Sequence, residues 1–272
     1  VRSFQDRVAI VTGAASGLGR EIVLQLAAEG AVVVATDIDG AGAARVAEDA
    51  TRAGGRARGE TLDVTREADV VARFEAVRGR EGRLDYAFNN AGIALLGELR
   101  DVSLPQCRRV LEVDLWGVLA GSHAAYRIMA AQGSGHIVNT ASLAGLVGFP
   151  AMQIYAVAKA AVVELTLGLR VEGRALGVTA TALCPGFIES GIYEAADLAA
   201  MDRVEALRRL PVAPVQTARA VRALLAGVRH DRAIVTYPAY ARILWWIRRF
   251  APALHGLGAR KALKRLRRAR RI

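Results

Sequence analysis

The sequence predicts an α/β fold: a single doubly wound domain with a parallel sheet of about seven strands and helices on both faces. Two observations carry this. Short β-branched runs alternate with longer segments of helical apolar spacing along most of the chain. The runs are also close to continuously apolar, as strands covered on both faces are.

Taken in order, residues 7–12 (RVAIVT) make the first strand and 18–29 its helix. Residues 31–36 (AVVVAT) make the second strand, and the Ala-rich helix over 41–53 ends at Gly54-Gly55. Strand 58–62 precedes helix 67–80, and strand 84–88 precedes a long helix over 104–131. Strand 136–140 precedes a second long helix over 152–176, and strand 178–183 follows it. After a variable stretch come helix 217–228 and a last strand at 233–235. Strands separated by helices pair in parallel, because each crossover returns the chain to the same end of the sheet.

Charge divides the chain. Of 37 Lys and Arg residues, 11 follow Pro238, where no acidic residue occurs; 26 basic and 26 acidic groups remain before it. Residues 1–238 are thus expected to form one nearly neutral domain, with 239–272 as a basic extension. Cys107 and Cys184 are two cysteines without a metal or redox spacing, which favours a reducing, cytoplasmic setting. Arg2, Asp6 and Arg7 argue against a signal peptide over residues 1–10. The charge-free stretch between Arg127 and Lys159 is too rich in Gly, Ser, Asn and Pro for a membrane span. His123, His136, His230 and His255 share no metal-ligand spacing, so no metal site is expected.

The first strand runs into Thr12-Gly13-Ala14-Ala15-Ser16-Gly17-Leu18-Gly19. Gly13 allows the tight turn, Gly17 lets the backbone approach a pyrophosphate, and Gly19 lets helix and strand pack closely. Free N–H groups at the helix start then favour the anion. Asp37 ends the second strand, where its carboxylate accepts from a ribose 2′-OH and repels a 2′-phosphate. Ala14, Ala15, Ser16 and Ile38 supply no cation for such a phosphate, so NAD is favoured over NADP.

Tyr155 and Lys159 stand four residues apart, on one face of a helix. An ammonium near a phenol favours the phenolate, which predicts a lowered pKa for Tyr155. Lys159 is also the only lysine before residue 261. Ser142 follows the fifth strand at the carboxyl edge of the sheet, placed to donate to a substrate carbonyl.

These features together resemble the classical short-chain dehydrogenase/reductase family, which has a Rossmann fold. The match covers Thr12–Gly19, Asn89-Asn90-Ala91-Gly92, Ser142, Tyr155-x-x-x-Lys159 and Pro185-Gly186, in order and spacing, over about 230 residues. The resemblance implies Tyr155 as acid/base, Lys159 as ribose anchor and Ser142 as orienter of the reacting oxygen. It implies Asp63 and Val64 on the adenine side, Asn90 as a brace, and Pro185, Gly186, Ile188 and Ser190 over the nicotinamide. One departure stands out: Asp114 occupies the place of the family's Asn, within Val113-Asp114-Leu115-Trp116-Gly117. A carboxylate there is expected to keep the relay to solvent, with pairing to a cation, or a raised pH for the relay, as the alternatives.

The expected reaction interconverts a hydrophobic secondary alcohol and its ketone with NAD(H). Leu95, Leu143, Phe149, Met152, Phe187, Ile192 and Met201 are the residues expected to face the substrate by that resemblance. No Arg or Lys is evidently placed to clamp a carboxylate. An NADP-dependent carbonyl reductase and a catalytically weak cofactor-binding protein are the alternatives. A homodimer or homotetramer is implied. The extension combines Trp245 and Trp246 with arginines; Pro252, Gly256 and Gly258 are expected to break it, with a basic amphipathic helix over 259–272. Packing on protein and peripheral membrane contact both stay open for it, with nucleic acid a lesser alternative.

Overall fold

The computed structural model describes residues 3–208 and 212–269, so Arg270, Arg271 and Ile272 of the expected tail helix lie outside the described residues. The chain begins β1 (Val8–Thr12), α1 (Gly17–Ala28), β2 (Val32–Asp37), α2 (Gly40–Arg52), β3 (Arg56–Thr61), α3 (Glu67–Glu81), β4 (Tyr86–Asn89) and β5 (Leu95–Leu96). It continues through α4 (Leu104–Leu111), α5 (Gly117–Gln132), β6 (Gly135–Thr140), α6 (Leu143–Val147), α7 (Gln153–Gly173) and β7 (Val178–Pro185). Then come β8 (Asp197–Leu198), α8 (Arg203–Arg208), α9 (Thr217–Arg229), β9 (Ile234–Tyr237), α10 (Ala239–Phe250) and α11 (Pro252–Leu266).

Seven strands form one sheet in the order β3-β2-β1-β4-β6-β7-β9, each pair parallel. The period of two in the strands sends alternate residues to opposite layers. Ala9 and Val11 pack with Ile22, Leu26 and Leu224, while Val8 and Ile10 pack with Phe74, Ile128 and Met129. Strand order reverses between β1 and β4, which opens a crevice at the carboxyl ends of the strands.

Three expectations need correction. The helix expected over 104–131 is interrupted: Glu112–Trp116 is a π-helical turn between α4 and α5, and Asp114 is its buried residue. Such wide turns cost helix geometry and occur where a side chain must be re-aimed. The variable stretch holds β8, which pairs with β5 in a second small sheet, and α8. In the tail the expected break does fall at Pro252, with α10 ending at Phe250, but Pro252 also starts α11, since proline fits the first helical turn. Gly256 and Gly258 lie inside α11, where glycine costs only about 1 kcal/mol each.

Candidate active site

A crevice of about 750 Å³ runs along the carboxyl ends of β1, β2, β4, β6 and β7. Its lining includes Gly13, Ser16, Gly17, Leu18, Asp37, Asp63, Val64, Asn90, Ala91, Gly92, Ser142, Tyr155, Lys159, Pro185, Gly186 and Ile188. Two of the expected site residues do not line it. Gly19 packs behind it, where an added Cβ would sit 2.0 Å from the Gly13 carbonyl oxygen. Asp114 is fully buried behind Lys159.

At the β1 end the backbone itself makes the site. Gly13 and Gly17 have φ of +66° and +54°, which disfavour any side chain. A Cβ at Gly13 would lie 2.7 Å from the Ala91 Cα, and one at Gly17 would lie 2.4 Å from the Ser190 carbonyl oxygen. The turn is therefore as tight as glycine permits. Ser16 caps α1 without a side-chain hydrogen bond, so the first N–H groups of the helix remain available to an anion. Asn90 ties the turn to β4: its Nδ2 donates to the carbonyls of Thr12 (3.1 Å) and Gly13 (3.2 Å), and its Oδ1 accepts from the Thr140 hydroxyl (3.2 Å). Asp37 is held by two backbone donors, Ala15 N–H at 2.9 Å and Asp39 N–H at 3.0 Å. These contacts fix the carboxylate at the rim and leave lone pairs for further donors. Among the described residues the only cations lining the crevice are Arg109 and Lys159. Arg109 comes from α4 and lies apart from β2 in the chain's order; no Arg or Lys was expected in this crevice beside Lys159, so it was not foreseen.

At the other end Ser142 caps α6 and accepts from the Ala144 N–H at 3.1 Å. Its hydroxyl also hydrogen-bonds the Tyr155 phenol. Lys159 is 2% exposed, donates to the Thr140 carbonyl at 3.0 Å, and stands 3.2 Å from Asp114 Oδ2. Asp114 Oδ1 in turn accepts from the Ile93 N–H at 2.8 Å. The π-helical turn thus delivers a carboxylate to the one buried lysine of the crevice.

This pair changes the electrostatics expected from sequence. Lys159 sits 5.7 Å from the centroid of the Tyr155 ring, but Asp114 offsets its charge. Tyr155 is pushed above its ordinary value, first by burial and then by the Asp114 charge, while the Ser142 hydrogen bond pulls it back. Without cofactor the phenol is therefore harder to ionise than a free tyrosine, a correction to the lowered pKa read from the Tyr-Lys spacing alone. Burial also raises Asp114, against the pull of Lys159 and the Ile93 N–H. Cys184, close to the same group, is pushed up to about 12 by burial, which fits an inert strand-end thiol.

Of the seven residues expected to face substrate, only Ile192 lines the crevice. Leu95, Leu143, Phe187 and Met201 are buried in packing, and Phe149 meets Phe187 edge to face, 5.7 Å between ring centroids. Tyr193 lines the crevice instead and lies against Phe187 at 5.7 Å. Sequence reasoning also missed the buried polar group behind β4. Asn89 donates to Asn139 (2.8 Å) and Ser122 (3.2 Å), and Asn139 donates to Thr166 (3.0 Å). The signal was present as polar residues in otherwise apolar strands.

A family model described as short chain dehydrogenase matches residues 7–199. The chain belongs to the short-chain dehydrogenase/reductase family. It is an NAD(P)-dependent dehydrogenase acting on CH–OH donors. A cyclohexanol dehydrogenase of Acinetobacter sp. (strain SE19) is 34% identical over 240 residues, 87% of this chain and 93% of that protein. A cis-4-hydroxycyclohexanecarboxylate dehydrogenase of Sinomonas cyclohexanicum is 39% identical over 233 residues, 85% of this chain and 92% of that protein. Among solved structures, a short-chain dehydrogenase/reductase from Burkholderia phymatum in complex with NAD superposes with a TM-score of 0.85 at 29% identity, covering 93% of this chain and 96% of that one.

Proposed function

We propose that this dehydrogenase interconverts a hydrophobic, alicyclic secondary alcohol and its ketone with NAD(H), Tyr155 serving as the acid/base. The observation that carries the reading is the meeting of Ser142, Tyr155 and Lys159 on one wall of the crevice, opposite a glycine turn with unspent N–H groups. The names of the two relatives supply the alicyclic ring. In this reading residues 1–238 are the catalytic unit.

The crevice residues fit the cofactor. Gly13, Ser16, Gly17 and Leu18 would hold its pyrophosphate, Asp37 its adenosine ribose, and Asp63 and Val64 its adenine side. Lys159 donates to the Thr140 carbonyl and pairs with Asp114, which leaves donor capacity for the second ribose. When bound, the nicotinamide supplies the hydride acceptor or donor. In ketone reduction the Tyr155 phenol gives its proton to the carbonyl oxygen, which Ser142 orients by a second hydrogen bond. In alcohol oxidation the phenolate takes the hydroxyl proton back. Asp114 balances Lys159 and holds Tyr155 in its protonated form, which suits reduction and moves oxidation to higher pH. The Asp37 carboxylate selects NAD, because a 2′-phosphate beside it would be repelled.

The test is a screen of NAD⁺ reduction over cyclohexanol-type and other apolar secondary alcohols, with Tyr155→Phe as control and NADP⁺ in parallel. Turnover with NAD⁺ that vanishes in the variant is expected. Comparable rates in the variant, or a preference for NADP⁺, overturn the corresponding assignment. We also read the catalytic unit as a homodimer or homotetramer, on the exposure of Trp116, Val157 and Val171 (61%, 56% and 78%) on and beside the long helices. Light scattering that returns a monomer mass removes that part.

A further inference from the structure

We propose that the outward face of α10 and α11 seats the protein on an anionic lipid surface, and that the substrate end of the crevice meets its apolar alcohol or ketone there. The second half rests on the substrate class proposed above; the first does not.

Helix α10 is apolar on two opposite faces. Ala241 is buried, and Leu244 and Trp245 pack with it on Leu143 and Val147. At 100° per residue, Ile243, Trp246 and Phe250 fall within about a sixth of a turn of one another, on the side away from that contact. They are 59%, 59% and 73% exposed, and the Trp246 and Phe250 rings lie 5.5 Å apart. Leu254 and Leu257 of α11 add two more, at 58% and 60%. A helix apolar all round is stable only where both faces are covered. The body covers one.

Charge decides what covers the other. Residues 238–272 hold 11 Lys and Arg and no Asp or Glu. Arg242 and Arg249, one heptad apart, flank the apolar stripe of α10, and both are exposed. A second copy docked by two-fold symmetry would bring two such cationic segments together, at a cost in like-charge repulsion. A nucleic acid would satisfy the cations and leave the tryptophan and phenylalanine in water. An anionic bilayer takes both: headgroups meet the arginines, and the acyl boundary takes the aromatic and aliphatic side chains.

The same segment closes on the substrate end from two sides. The Tyr240 hydroxyl accepts from the Phe187 N–H at 2.8 Å, and it lies so close to Gly186 that an added Cβ would meet the hydroxyl oxygen at 2.6 Å. At the far end of α11, Leu266 packs on the cluster holding Leu96, Ala196 and Met201. Arg267 just beyond forks onto both oxygens of Glu98 at 2.9 Å. Between these clasps lie Ile188, Ser190, Gly191, Ile192 and Tyr193, which line the crevice. The surface that would touch lipid is thus one helix thickness, about 10 Å, from the segment that faces substrate.

The experiment is co-sedimentation of the full chain with vesicles of phosphatidylcholine alone or mixed with phosphatidylglycerol, at low and high salt. A Trp246→Ala/Phe250→Ala double variant runs beside it. The intact chain is expected to sediment with the anionic vesicles, and less so at high salt. The variant should bind roughly tenfold or more weakly, with unchanged turnover of a water-soluble alcohol in the absence of vesicles. No sedimentation of the intact chain, or equal sedimentation of both proteins, overturns the proposal. So does light scattering in which the double substitution splits an oligomer, because the face is then a subunit contact. Vesicle binding by a protein that oxidises no apolar alcohol leaves the lipid surface standing and removes the substrate reading.

Discussion

The two ends of the crevice are held by different kinds of contact. At the glycine turn, backbone meets backbone: Gly13 against Ala91, Gly17 against Ser190, Gly19 against Gly13, with Asn90 binding the carbonyls of the turn. At the substrate end, side chains from separate segments meet: Phe149, Phe187, Tyr193, and Tyr240 from the tail. Backbone contacts at van der Waals limits tolerate almost no change, whereas side-chain packing can be exchanged for other shapes at modest cost. A fixed ligand suits the first construction and a variable one the second.

This contrast is breakable. Gly19→Ala places a methyl where the Gly13 carbonyl already is, and overpacking of that kind costs about 1–3 kcal/mol. We expect the largest effect here: a lowered Tm and loss of NAD binding by calorimetry, with no selectivity between alcohols. An unchanged affinity for NAD would mean that the turn yields, and the contrast would fail at its stiff end.

Asp114→Asn should act next most strongly, and on pH. Removing the negative charge takes away a cause that raises Tyr155, so the phenolate forms at lower pH. The rise of oxidation rate with pH should move to lower pH. The reduction limb, which needs the phenol, should fail at lower pH by the same sign. Rates measured from weakly acid to alkaline pH check it, and a shift upward contradicts the assigned role.

Tyr240→Phe removes the acceptor of the Phe187 N–H, and an unpaired buried N–H costs about 1–3 kcal/mol. The expected result is a several-fold rise in KM for the alcohol with NAD affinity unaltered, which would place the tail in the substrate wall. Equal changes in both constants would show that the two ends are mechanically coupled.

The smallest effect concerns the Arg267 clasp. Its hydrogen bonds hold Glu98 below its ordinary value of 4.5. A depressed carboxyl stabilises the fold above that ordinary value, and the contribution disappears as pH falls through the lower folded one. Protection factors in α11, the exchange rates corrected for their intrinsic fall with pH, should drop as the pH falls below that ordinary value, with those of the sheet unaffected. Glu98→Gln should produce the same loosening at neutral pH.

The two ends also differed in how far they could be read from sequence. The glycine turn, Asp37, Asn90 and the Tyr155–Lys159 pair each lie within a short segment attached to one strand or helix, so local pattern located them. The partners of Lys159 come from β6 and from a π-helical turn, and no local spacing announces that Asp114 points inward. Hence the direction of the Tyr155 shift was misread: the family resemblance marked Asp114 as a carboxylate able to pair with a cation, but not that Lys159 would be that cation. The substrate wall was the least legible part. Apolar residues such as Leu143 and Met201 look alike whether they face a ligand or the core, and only the tertiary fold sends them to the core. Tyr240 belonged to a tail set apart by its charge, with nothing to tie it to Phe187.

The scarcity of lysine gives the molecule an unusual chemical handle. In the body the one primary amine on a side chain is Lys159, and it is shut away with Asp114 and the Thr140 carbonyl. Lys261 and Lys264, the remaining two, stand exposed on α11. Apart from the α-amine of the chain, an acylating dye would therefore find its reactive side chains on one helix and leave the crevice unmodified.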